Sequence, residues 1–472
     1  MSAPRSAARR GWRPSIAVAA LLVAASSCAD ATARPSLSPP PSPPADDVHA
    51  HDVTTRPPFT LVPPLPGASS TTSPEALAAP APTAPAASTT VSGTTTTLPS
   101  VKTIAGMPAV VDPANLYSEA LAGKPSGAPA NAKQYVYVPS DQDGSVTVID
   151  QATFQVVDTM ATGGKLVQHV VPGYDLQTLY ANVSGSNFLR EIDPVTGKEG
   201  AKIPVDAPYN LYFTPDGSRA LVMAERRNRI DVYDRLTWKL LKKVPVPCQS
   251  RVRGQSYGGV NHADWSIDGR YFLATCEFAG RMIKVDTESM EIVATLDLEG
   301  AGATRMAMPQ DVRITPDGKK FYVADIMNDG VWVVDGEAMK VVTRIETGKG
   351  AHGIYPSRDG SVFYVANRGR FYAETDNRRS KPGEGSVSVV DWRTDKVTTT
   401  WPIPDGGSPD MGGVSADGKT LWLSGRYDAE VYAIETANGQ LRARIGMPGS
   451  PHGLCVFPQP GRYSLGHTGN YR

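Results

Sequence analysis

Seven short pairs of residues raise the question of chemistry first. Each stands seven and six positions before a turn, marked by an acid in the first six: Gln168-His169, Tyr209-Asn210, Asn261-His262, Gln310-Asp311, His352-Gly353, Asp410-Met411 and, allowing one inserted residue in "FPQPG", His452-Gly453. Imidazole nitrogens and carboxylate oxygens together are the donors that suit zinc, iron or copper. Convergent polar groups of this kind also orient small ligands. The candidate binding residues are therefore His169, Asn210, His262, Gln310, Asp311, His352, Asp410 and His452, with the four histidines as candidate metal ligands. A third reading needs no ligand: such side chains can satisfy backbone ends and buried water. No cofactor is named by these residues alone. One geometric obstacle is visible. His169 and His262 occupy one register, whereas His352 and His452 occupy the next. Neighbouring strand residues point to opposite faces, so all four converge only if the strand is bulged there. His467, near the C-terminus, lies outside the pattern.

The elements that must position these pairs are short strands. Alternating apolar runs end in an acid at Asp150, Asp193, Asp234, Asp286, Asp335, Asp391 and Glu435, a spacing of 43, 41, 52, 49, 56 and 44 residues. Turns such as "TPDG", "SRDG" and "SADG" punctuate them about every ten positions, as antiparallel strands require. Four strands per repeat and seven repeats predict an all-β, seven-bladed β-propeller over residues 133–472, closed radially so that sheet edges are protected. In that fold the polar pairs fall where the chain crosses to each innermost strand, at one mouth of the central channel. "HGLCVF" at the C-terminal end is expected to complete the blade begun by "SVTVID" and "QVVDTMA". "QYVYV" and "RYSLG" compete for the remaining strand position.

The N-terminal region reads differently. Arg5, Arg9, Arg10 and Arg13 precede the apolar run Ile16 to Ala25, about half the ~20 residues that span a bilayer, so residues 1–28 read as a signal peptide. The run ends in "ASSCAD", which makes Cys28 a candidate lipidation site; cleavage after "ADA" or "ATA" is the alternative. Residues 29–132 are rich in Pro, Ser, Thr and Ala and are expected to form a disordered linker. An exported protein sits where disulfides persist, and Cys248 and Cys276 share one repeat, so they are the expected pair. With 47 basic and 47 acidic residues, the chain carries no charge excess of the kind nucleic acid selects. It has no Cys-x-x-Cys, nucleophile elbow, phosphate loop or zinc-protease helix motif.

The segments "VYVPS…GSVTVID", "LYFTPDG", "FYVAD" and "FYVAN" resemble the tyrosine-valine-threonine-asparagine repeats of YncE-like propellers. "NHADWSIDGRYFLATCEF" and "PHGLCVFPQPGRYSLGHTGNYR" resemble exported bacterial members, over roughly residues 134–472. The resemblance implies architecture and leaves activity open. A more distant likeness to the propellers that carry haem d1 would imply a cofactor on the mouth of the ring, ligated by histidine. The primary expectation is an exported, lipid-anchored envelope scaffold that binds a small molecule or an envelope protein, without catalysis. The alternative is a metal- or haem-type site built on the histidines.

Overall fold

The structure is a computed structural model, and it describes residues 101–298, 305–369, 384–467 and 470–472. Seven four-stranded antiparallel sheets make seven blades. Their innermost strands are Val167–Pro172, Asn210–Phe213, Val260–Trp265, Pro309–Ile314, Ala351–Pro356, Pro409–Val414 and Cys455–Phe457. Every residue of these strands is buried, whereas outer strands such as Ile292–Asp297 alternate between partly buried and exposed positions. Each of the seven acids identified from sequence ends the third strand of its blade. Trp265, Trp332 and Trp422 are among the largest fully buried side chains and fill space inside the ring.

The recurrent turn has a chemical cause. In "TPDG" the Thr315 hydroxyl donates to Asp317 (2.7 Å) and the Gly318 amide donates to the Thr315 carbonyl (2.8 Å). Gly318 has φ +69°, a conformation that disfavours a side chain. Ser266–Asp268, Ser357–Asp359 and Ser415–Asp417 repeat the hydroxyl–carboxylate contact.

Both chain ends close the ring. Cys455–Phe457 pairs with Tyr135–Pro139, which pairs with Ser145–Asp150. "QYVYV" therefore takes the contested position. The "RYSLG" segment goes elsewhere: it turns into the channel, where the Phe213 amide donates to the Leu465 carbonyl (3.0 Å) and the His467 amide to the Leu211 carbonyl (3.0 Å). Gly466 permits this approach, since a Cβ there would stand 2.3 Å from the Leu211 carbonyl oxygen.

The expected linker needs one correction. Residues 101–132 lie on the propeller face that carries the turns, opposite the polar pairs. Leu116 and Ala122 donate backbone hydrogen bonds to Pro316 (2.6 Å) and Arg358 (2.8 Å), and the Tyr117 hydroxyl donates to the Ile314 carbonyl (2.9 Å). Leu116, Tyr117 and Ala120 are buried there, a small apolar anchor that composition averaging hid. The signal peptide, Cys28 and residues 29–100 of the expected linker lie outside the described residues. Cys248 and Cys276 are joined, tying the connection before Val260–Trp265 to the second strand of that blade.

Candidate metal centre in the channel

The bulges that the register argument demanded are present. In five blades the ladder slips by one residue: three steps on the inner strand face two on its neighbour, between Val167 and Val170, Val260 and Ala263, Pro309 and Val312, Ala351 and Ile354, and Pro409 and Gly412. The two residues inside each bulge are the polar pair itself. A bulge re-aims side chains, and this one brings both registers into the channel. The bulges are held from the neighbouring strand: the Thr275 hydroxyl donates to Asn261 Oδ1 (2.8 Å), and the Met411 amide donates to Ser424 Oγ (3.2 Å).

His169, His262, His352 and His452 meet in one cluster, joined by His467 from the C-terminal segment. All five are at most 1% exposed. Their rings stand 4.8 Å (His169–His452), 4.9 Å (His262–His467), 5.3 Å (His169–His467), 5.8 Å (His169–His262), 6.1 Å (His262–His352) and 6.3 Å (His352–His452) apart between centroids. Burial holds the imidazoles below their usual titration range. Neighbouring histidines add to this at His169 and His262, Arg426 at His452, Arg313 at His467 and Arg368 at His352. They are accordingly neutral, the form that donates a lone pair to a metal. Both ring nitrogens of His169 and of His262 have no hydrogen-bond partner among the described residues. Each such buried group costs about 1–3 kcal/mol when left unmatched.

Two groups have ligand spacing, with donor atoms all within 4.8 Å of one another: His262, Asp311 and His467, and His352, Asp410 and His452. They differ in which histidine nitrogen carries the proton. In the first, the Leu211 amide donates to Asn210 Oδ1 (3.0 Å), which turns Asn210 Nδ2 towards His467 Nδ1 (2.9 Å). His467 then carries its proton on Nε2, facing Asp311 Oδ1 at 3.4 Å. Asp311 also accepts from the amides of Val312 (2.9 Å) and Ile354 (3.0 Å).

The second group is open. Gln168 Oε1 faces His452 Nδ1 at 3.0 Å, so the proton sits on Nδ1 and Nε2 is a bare acceptor. That nitrogen points to Asp410 Oδ2 at 3.7 Å, an oxygen that accepts no hydrogen bond among the described residues. Asp410 Oδ1 is engaged by Arg368 (2.8 and 2.6 Å) and lies 3.0 Å from His352 Nδ1. Burial alone would raise the Asp410 pKa, but the Arg368 guanidinium and His352 outweigh it and hold the carboxyl well below its usual range.

Of the residues expected from sequence, the structure gathers His169, His262, Asp311, His352, Asp410 and His452, with Asn210 supporting His467. Gln310 is buried outside the histidine cluster, donating to the Met308 carbonyl (3.1 Å) and bonding the Glu277 carboxyl. His467 and Arg368 escaped sequence reasoning. No repeat predicts the path of the segment bearing His467, and Arg368 opens an insertion, residues 368–385, that reads as a solvated loop. The expectation of a scaffold without chemistry is overturned by these two buried His/Asp groups, which have the donor types and spacing of metal sites.

Fold and site together define a seven-bladed β-propeller with a histidine-lined channel. In sequence the chain is YncE-like: it is 24% identical over 186 residues to the uncharacterized protein YncE of Salmonella typhi, a match covering 38% of this chain and 48% of that protein. The chain thus spans about half the length of the curated relatives it matches. No known family profile matches it. Among solved structures, a putative 6-phosphogluconolactonase from Bacteroides uniformis superposes with a TM-score of 0.53 at 17% identity, over 68% of this chain and 98% of that one. The dihydro-haem d1 dehydrogenase NirN is a more distant likeness, with a TM-score of 0.48 at 15% identity over 70% and 77% of the two chains. At these identities the likenesses concern fold alone.

Proposed function

We propose that this protein is an exported propeller that binds a transition-metal ion in its channel, between His352, Asp410 and His452. The observation that carries the reading is a pair of buried acceptors facing each other. His452 Nε2 and Asp410 Oδ2 stand 3.7 Å apart, and with the His452 proton on Nδ1, as the facing Gln168 Oε1 requires, each presents a lone pair to the other. Two lone pairs held this way repel unless a cation sits between them. Ligands at about 2.1 Å in tetrahedral geometry are about 3.4 Å apart, so a small adjustment would close the site on an ion. Gln168 behind His452 and Arg368 behind Asp410 are the kind of outer partners that fix ligand tautomer and orientation. Such a centre provides capacity for metal-dependent catalysis or metal carriage. The Cys248–Cys276 disulfide favours an oxidising compartment, and tethering through Cys28 completes the proposed placement at the cell envelope. Replacing Cys28 by Ser should then move the protein out of the membrane fraction.

Elemental analysis of untagged protein tests the metal reading. A stoichiometric transition metal, lost from a His352→Ala/His452→Ala variant that keeps its fold, is the expected outcome. Metal-free protein after growth and dialysis with each candidate ion would defeat it.

A further inference from the structure

We infer that the ion is copper, bound preferentially as Cu(I), because a thioether is the remaining donor at the site. The inference rests on the metal-site reading above and specifies its occupant. Met411 is the second residue of the Asp410 bulge, and it is fully buried. Its Sδ lies 2.9 Å from His352 Nδ1, the nitrogen that also faces Asp410 Oδ1 at 3.0 Å, so an ion bound between sulfur and imidazole takes the place of the Nδ1 proton. The Tyr355 hydroxyl accepts from the Gly412 amide (2.6 Å) and turns its own proton towards Met411 Sδ at 3.7 Å, which leaves the sulfur a second lone pair on the histidine side.

A buried methionine ordinarily fills gaps among hydrocarbon neighbours. Met411 belongs to none of the apolar clusters formed by the described residues. Its recorded partners are instead an imidazole and a phenol. Thioether with imidazole is a soft donor set that selects copper, above all Cu(I), over harder ions. Charge points the same way. Asp410 supplies one negative charge, Arg368 already balances it, and Arg426 at the same level pairs with Asp141 (2.9 Å). A monovalent ion adds less uncompensated charge to a buried site than a divalent one.

Anaerobic titration of the full-length protein with Cu(I) against bathocuproine disulfonate, and with Zn²⁺ against a zinc chelator, decides the matter. Wild type should hold Cu(I) against the competitor, and Met411→Leu should lose about tenfold or more in Cu(I) affinity, the scale of losing a contact around a metal, while Zn²⁺ affinity changes by less than about twofold. Equal Cu(I) affinity in wild type and variant overturns the inference. So does a wild type that binds Zn²⁺ and rejects Cu(I), although the metal site would survive. Failure to bind either ion overturns the copper inference, while the broader metal reading is decided by the elemental analysis above. Should Met411→Leu not fold, copper-edge X-ray absorption on wild type replaces it: a sulfur neighbour supports the inference, and a shell of nitrogen and oxygen alone refutes it.

Discussion

Glu277 offers a test of the channel's electrostatics that is independent of any ion. Its carboxyl is buried at the mouth, where Oε2 accepts from Asn261 Nδ2 (2.8 Å). Burial is the dominant influence and pushes its pKa from 4.5 up to about 7. The buried Glu225 nearby is raised well above its usual range, first by burial and then by the charge of Glu277. A carboxyl whose pKa is higher folded than unfolded favours the folded state fully below the unfolded value, and that contribution is lost as pH rises through the folded one. At about 1.4 kcal/mol per unit, ionising Glu277 in place costs the fold about 3 kcal/mol above neutrality. Glu277→Gln removes that cost and keeps an acceptor for Asn261. The amide's new donors, partly unmatched, offset about 1 kcal/mol. The variant should therefore be about 2 kcal/mol more stable than wild type at about pH 8.5, and about 0.5 kcal/mol less stable near pH 4.5, where only the amide's unmatched donors remain. Urea unfolding at the two pH values measures this. A difference that does not depend on pH, or a loss of stability at the higher pH, would refute the assignment of a proton-holding carboxyl at the mouth.

Three further outcomes follow from the same geometry. Gln168→Leu leaves His452 Nδ1 without its acceptor and should weaken metal binding by about 10- to 100-fold with little change in secondary structure, as read by chelator competition and circular dichroism. Arg368→Met strips the buried Asp410 of its cation and should destabilise the fold by about 3–5 kcal/mol in denaturant unfolding; a loss below about 1 kcal/mol would mean the pair is solvated. Gly466→Ala places a Cβ 2.3 Å from the Leu211 carbonyl oxygen. It should expel the C-terminal segment from the channel, seen as faster amide exchange at Leu465, His467 and Phe213, whose amide donates to the Leu465 carbonyl, and unchanged exchange elsewhere in the blades.

The architecture was legible because a β-propeller repeats its punctuation. The acids from Asp150 to Glu435 each mark a third strand, and the Ser/Thr-x-Asp-Gly turns advertise a local hydrogen-bond pattern that needs no distant contact. The site was legible in composition but not in geometry. Alternation placed His169 and His352 on opposite faces, and only the bulge, one extra residue against the neighbouring strand, brings both inward. His467 could not be found this way, because nothing in the repeat dictates that the segment after Gly461 enters the channel. Tyr117 was hidden for a related reason: the few apolar residues that dock this Pro/Ala-rich stretch, Met107, Leu116, Tyr117 and Ala120 among them, leave no period. The lean towards a protein without chemistry came from the lack of sequence motifs, whereas this site is assembled across blades far apart in the chain.

The most direct test of the central claim is crystallographic. Crystals of the protein grown with a bound transition metal, measured above and below that metal's absorption edge, should show an anomalous peak between His452 Nε2 and Asp410 Oδ2, with His352 in contact. A metal-loaded crystal whose only anomalous peaks lie at the protein surface would contradict the account.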